Sequence, residues 1–120
     1  MARVLVADDD PGVRKLLGLS LELEGHDVVC VADGDDALAE ATAGGWDVIV
    51  LDVMMPGHDG FEVCRALKAD ATLGAIPVVL LTAKAQDSDR EEGLSAGADR
   101  YVTKPFEPAD LADVVAELAG

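Results

Sequence analysis

The stretch "VLVADDDPGV", residues 4–13, runs four small apolar residues straight into three aspartates and then a proline. A short apolar run closed by turn-forming residues is the pattern of a buried strand. Asp10 followed by Pro11 reads as a helix start, with a capping carboxylate and a proline at the first helical position. Gly25 closes the helix that follows. The stretch is therefore a strand-to-helix junction, and it leaves Asp8 and Asp9 crowded at the strand's carboxyl end.

The same alternation continues along the chain. Apolar runs at "RVLVA" (3–7), "DVVCVA" (27–32), "DVIVLD" (47–52), "IPVVLLT" (76–82) and "RYVTK" (100–104) are separated by helical patterns near 11–24, 35–43, 60–69, 86–95 and 107–119. The runs at 48–51 and 78–81 are apolar throughout, as expected of central strands covered on both faces. Glu107 and Pro108 open the last helix, whose Leu111, Val114, Val115 and Leu118 form one apolar stripe. Five strand–helix units with short connections imply a parallel sheet clad by helices on both sides.

Composition narrows the function. A chain of 120 residues, half of them hydrophobic, builds one core, and no apolar run approaches the ~20 residues of a membrane span. No signal-peptide layout precedes the first strand, so a cytoplasmic location is expected. With 24 acidic and 9 basic residues the net charge is −15, which argues against direct binding to nucleic acid or an anionic membrane. Cys30 and Cys64 lie in separate apolar segments and read as small buried hydrophobes, not as a disulfide or a metal pair.

In an open α/β sheet ligands bind at the carboxyl ends of the strands, near the point where strand order reverses. There the first strand delivers Asp8 and Asp9, the third Asp52, the fourth Thr82 and the fifth Lys104; the second delivers only Ala32 and Asp33. Asp10 is assigned to the helix cap. Three carboxylates in one place repel, so at least one should titrate high without a cation. Hard oxygen donors of this kind suit Mg²⁺, which takes carboxylates together with a phosphate oxygen. A carboxylate can also act as a nucleophile toward phosphorus, with Lys104 and Thr82 on the remaining oxygens.

The segments "VLVADDD", "VIVLDVMMPGHDG", "PVVLLTA" and "GADRYVTKPF", in this order, resemble the receiver domain of bacterial two-component response regulators, from about Arg3 to Leu118. The resemblance implies a flavodoxin-like (βα)5 fold, a doubly wound parallel sheet of order 2-1-3-4-5. It implies one receiver domain over residues 1–120 with no effector domain in the chain. Asp52 would be the phosphoacceptor, Asp9 the direct metal ligand with Asp8 assisting through water, and Asp52 and the Met54 carbonyl would complete the Mg²⁺ (or Mn²⁺) site. Lys104 would bind phosphate beside a cis 104–105 peptide. Thr82 and Tyr101 would form the switch pair, acting on the face made by the 86–95 stretch, the last strand and the last helix.

Met54 and Lys84 occupy the positions that influence dephosphorylation; neither holds a water as a carboxylate or amide would, which implies slow self-hydrolysis. The implied partners are a sensor histidine kinase or histidine phosphotransfer protein, and a downstream target or an output domain. No turnover of an external substrate is implied beyond the domain's own phosphotransfer and dephosphorylation. His58, in the turn "MMPGHDG", and His26 are read as loop residues without a role in phosphotransfer. The last helix, "EPADLADVVAELAG", carries four carboxylates and no basic residue, which disfavours the salt-bridged dimer common in receivers joined to winged-helix domains.

Three other readings compete. An aspartate-nucleophile phosphohydrolase using Asp8 and Asp10 would leave Asp52 without a role, and Gly12 stands where Thr or Val would be expected. A flavodoxin-like cofactor carrier would meet three aspartates where its cofactor phosphate should sit. An inert α/β adaptor would leave the convergence of side chains at four strand ends unexplained.

Overall fold

All five apolar runs are strands. The computed structural model describes residues 2–82, 91 and 95–119. These form β1 (Arg3–Ala7), α1 (Pro11–Leu23), β2 (Asp27–Val31), α2 (Gly34–Ala43), β3 (Val48–Asp52), α3 (Gly60–Ala69), β4 (Val78–Thr82), β5 (Arg100–Thr103) and α4 (Pro108–Ala119), with a 3₁₀ turn at Leu73–Ala75. The stretch read as a helix near 86–95 lies outside the described residues except for Glu91 and Ser95, and so does Lys84. Among the described residues no helix is long and apolar enough to cross a membrane.

The sheet is parallel throughout, in the order β2-β1-β3-β4-β5. Side chains alternate between its faces. Leu5, Ala7, Ile49, Leu51 and Leu80 pack with Ala37 and Ala41 of α2 and with Phe61, Cys64 and Leu67 of α3. Val4, Val6, Val48, Val50, Val79 and Leu81 pack with Leu17 and Leu21 of α1 and with Leu111 and Val115 of α4. Every residue of β3 and β4 is buried, as the unbroken apolar runs require, whereas β2 and β5 lie at the edges and are partly exposed.

Helix starts follow local chemistry. Asp10 caps α1, its carboxylate accepting from the Gly12 and Val13 N–H groups at 2.8 and 3.4 Å, with Pro11 first in the helix. Asp33 caps α2 in the same way, accepting from Asp36, which accounts for the second strand bringing nothing else to its end. Asp59 and Glu62 form a reciprocal capping box on α3. Trp46, 6 % exposed, closes the amino-terminal end of the sheet. Its indole N–H donates to the Glu40 carbonyl at 2.7 Å, and the Arg3 guanidinium sits 4.4 Å from its ring centroid.

One expectation is corrected. Cys64 is buried, but Cys30 is exposed. Its strand is an edge strand, and the α1 residue opposite is Gly18, where even an added methyl would only just touch the sulfur, at 3.6 Å. A glycine there has no side chain with which to cover the thiol.

At the amino-terminal ends of β4 and β5 a single ammonium joins four segments. Lys68 Nζ donates to the Gly74 and Ile76 carbonyls at 3.1 and 2.8 Å and pairs with Asp99 at 3.0 Å. The same Asp99 oxygen accepts the Val78 N–H. Removing a half-buried donor that serves three acceptors is costly, so Lys68→Met is expected to lower the unfolding free energy by about 2 kcal/mol in a urea titration. A loss under about 0.5 kcal/mol would show that the network adds no net stability.

Candidate functional site

β1 and β3 are neighbours at the point where the strand order reverses, with Ala7 beside Leu51 in the register. The next residues, Asp8 just past β1 and Asp52 at the end of β3, therefore stand side by side. One carboxylate oxygen from each of Asp8, Asp9 and Asp52 falls within 4.8 Å of the others. Asp8 is fully buried and Asp52 is 4 % exposed, while Asp9 stands at the surface.

The fifth strand supplies the cation. The Lys104 N–H continues the ladder to the Thr82 carbonyl, and the 104–105 peptide is cis, as expected. Lys104 Nζ donates to Asp8 Oδ2 at 2.9 Å and lies 3.4 Å from Asp52 Oδ2. Asp8 Oδ1 accepts the Asp10 N–H at 2.9 Å, so both its oxygens are engaged. Asp52 Oδ1 accepts a long bond, 3.4 Å, from the Met54 N–H.

The expected rise in a carboxylate pKa is present at Asp52, which is pushed up to about 6. Burial is the larger cause and the charge of Asp8 the second; Lys104 and the Met54 N–H offset part of it. Burial alone would lower the Lys104 pKa, but the hydrogen bond to Asp8 and the two neighbouring carboxylates outweigh it and leave it raised. Three carboxylates against one ammonium leave the pocket negative, and every donor is a hard oxygen. That set fits a divalent cation such as Mg²⁺.

Thr82 ends β4 and is buried; Tyr101 on β5 is half-buried against the α2–α3 side of the core. The register pairs Leu80 with Tyr101 and Thr82 with Thr103, so Thr82 and Tyr101 project from one face of the sheet. The Met54 side chain is largely exposed. Asp10 is taken up by the α1 cap and is not among the clustered carboxylates, which removes the second carboxylate of the hydrolase reading.

The two histidines stand outside the carboxylate group. His58 Nδ1 lies 2.6 Å from Asp35 Oδ1, and His26 Nδ1 accepts the Ala2 N–H at 3.2 Å. Two residues that hold the site escaped the sequence reading. The Arg14 guanidinium donates to the Asp8 carbonyl at 2.8 Å, one helical turn into α1. Gly60 approaches β3 so closely that a Cβ there would meet the Asp52 carbonyl oxygen at 2.4 Å. Its position next to the Asp59 cap, on the turn returning toward β3, was the available signal.

Comparison with known proteins agrees with this geometry. Residues 4–116 match the response regulator receiver domain family, and the chain belongs to it. It is 48 % identical over 109 residues, 91 % of its length, to the transcriptional regulatory protein TcrA of Mycobacterium tuberculosis. That match covers 42 % of TcrA, so the chain spans less than half the length of this relative. The receiver domain of a Francisella response regulator superposes with a TM-score of 0.92 at 35 % identity, covering 99 % of this chain and 97 % of that one. A receiver domain from a Pseudomonas aeruginosa sensor histidine kinase, solved with a magnesium ion coordinated in its active-site cleft, gives 0.91 at 32 % identity, covering 99 % and 98 %. The protein is thus a receiver domain of two-component signalling, with an acidic pocket at the carboxyl edge of its sheet.

The Asp52 shift has a consequence for stability. Its pKa lies above the unfolded value of 3.8, so between pH 4 and 6 the folded state holds the extra proton, and stability falls as pH rises through this window. Asp52→Asn is therefore expected to stabilise the metal-free protein at pH 7.5, with the gain shrinking as pH falls from 6 to 4 and absent below that. Urea titrations in a chelator at several pH values would check this, and a gain independent of pH would contradict it.

Proposed function

We propose that the domain is a phosphoaccepting switch in which Asp52 takes a phosphoryl group from a histidine kinase or histidine phosphotransfer protein. The observation that carries this reading is the environment of Asp52: buried at the switch point of the sheet, 3.4 Å from Lys104, with Asp8 and Asp9 beside it. A carboxylate oxygen of Asp52 attacks phosphorus in line with the bond that breaks, the P–N bond of phosphohistidine or the P–O bond of a small acyl phosphate. The bonding pair departs with the imidazole or the carboxylate.

Asp9 directly, Asp8 through water, the Asp52 carboxylate and the Met54 carbonyl would hold Mg²⁺, with Mn²⁺ as a substitute. When bound, the ion supplies positive charge to one phosphoryl oxygen and relieves the repulsion among the carboxylates. Lys104 is poised to exchange its contact with Asp52 for a second phosphoryl oxygen, and the Thr82 hydroxyl to donate to a third. Motion of Thr82 toward the phosphoryl group frees room for Tyr101 to turn inward. The event at Asp52 thereby reaches the β5 and α4 surface, where a downstream protein or output domain would read it.

In this reading residues 1–120 are one receiver domain, and the domain labels itself once per donor instead of turning over an external substrate. Labelling by acetyl phosphate is expected to require Mg²⁺ and to be lost in Asp52→Asn; label on that variant equal to wild type would remove Asp52 as the nucleophile. Phos-affinity electrophoresis distinguishes the two.

The phosphoryl group is expected to persist, because neither Met54 nor Lys84 holds an attacking water. Met54→Asn and Lys84→Glu should shorten its half-life several-fold in a chase after donor removal. No acceleration in either would count against that role for both positions.

A further inference from the structure

Three of the four large apolar side chains left exposed among the described residues lie on α1: Leu16 at 47 %, Leu19 at 53 % and Leu23 at 86 %. Their spacing of three and four residues puts them on one face of the helix, opposite the buried Leu17 and Leu21. Lys15 and Glu22 are seven residues apart, two turns, so both flank the same side of this stripe, and both are exposed. Neither has an ion-pair partner within 4.0 Å among the described residues.

We propose that this face of α1 joins a second copy of the chain in an antiparallel two-fold dimer. A two-fold axis beside Leu19 sets that residue against the partner's Leu19 and Leu16 against the partner's Leu23. Because the axis keeps a flank on its own side, Lys15 meets the partner's Glu22 and Glu22 meets the partner's Lys15. One helix thus supplies both halves of an apolar contact and both halves of two ion pairs, which is the self-complementarity that an isologous interface demands.

Charge favours this face over those of α2 and α4. With a net charge of −15, most surfaces of one copy repel another. α2 carries Asp35, Asp36 and Glu40 with no cation, and α4 carries Asp110, Asp113 and Glu117 with none. On α1, Arg14 and Lys15 stand against Glu22, so two copies can approach without that penalty. The stripe is exposed in the unphosphorylated domain, so the dimer does not wait for phosphorylation. A single helix pair makes a small interface, below the ~1,200 Å² of stable complexes, and the association is correspondingly weak.

Sedimentation equilibrium of the purified chain from micromolar to millimolar concentration tests this. Reversible dimerisation is expected, and Leu19→Glu should abolish it while circular dichroism and urea stability stay those of the wild type. Lys15→Glu and Glu22→Lys should each raise the dissociation constant about tenfold, because each creates two like-charge contacts. The double variant Lys15→Glu/Glu22→Lys should restore wild-type affinity, which only a contact between these two positions explains. A monomer at every concentration, or a dimer indifferent to Leu19→Glu, would overturn the proposal. So would a monomer whose Leu19→Glu variant still labels with acetyl phosphate but no longer accepts phosphate from a phosphorylated histidine kinase, since the stripe would then belong to that partner.

Discussion

Three carboxylates meet one ammonium at the carboxyl edge of this sheet, and the pocket depends on how that imbalance is held. Lys104 bonds Asp8 closely and Asp52 at longer range, so the more deeply buried charge is neutralised and the less engaged one is left strained. The raised pKa of Asp52 measures that strain, and burial contributes more to it than repulsion does. A carboxylate held by long contacts gains most from a cation, and in the proposed reaction it would give up little on bonding to phosphorus. The same arrangement that costs stability at neutral pH therefore keeps the group available for chemistry.

What makes this arrangement affordable is the rest of the sheet. β3 and β4 are buried along their whole length, with apolar side chains packed on both faces, and they anchor the residues at their ends. Asp52 and Thr82 inherit their positions from that packing and need few contacts of their own. Gly60 shows how tight the tolerance is, since the turn into α3 passes close enough to the Asp52 carbonyl to forbid a side chain.

The fold was legible because its signals are local: apolar runs of strand length, capping aspartates and closing glycines. The site was legible for a topological reason, since every strand of a parallel sheet ends on the same edge, so residues far apart in sequence can be placed together without knowing any contact. What escaped was side-chain pairing across the chain. Lys104 and Asp8 are 96 positions apart, and no pattern says that the lysine favours Asp8 over Asp52. The exposure of Cys30 turned on Gly18, a residue of another element whose only relevant property is a missing side chain. The hold of Arg14 on the Asp8 carbonyl was hidden in the same way, because an arginine in a first helical turn looks like any solvated charge.

Trp46 lies at the other end of β3 from Asp52, and at about 3.3 Å per residue the two are roughly 20 Å apart. It is the chain's single tryptophan, enclosed by the Arg3 side chain and bonded to the end of α2. Its fluorescence thus samples the floor of the domain, where strands enter, and not the rim where phosphate would arrive. The emission spectrum is an intrinsic gauge of whether the domain is folded, and events at the acidic pocket need a label of their own.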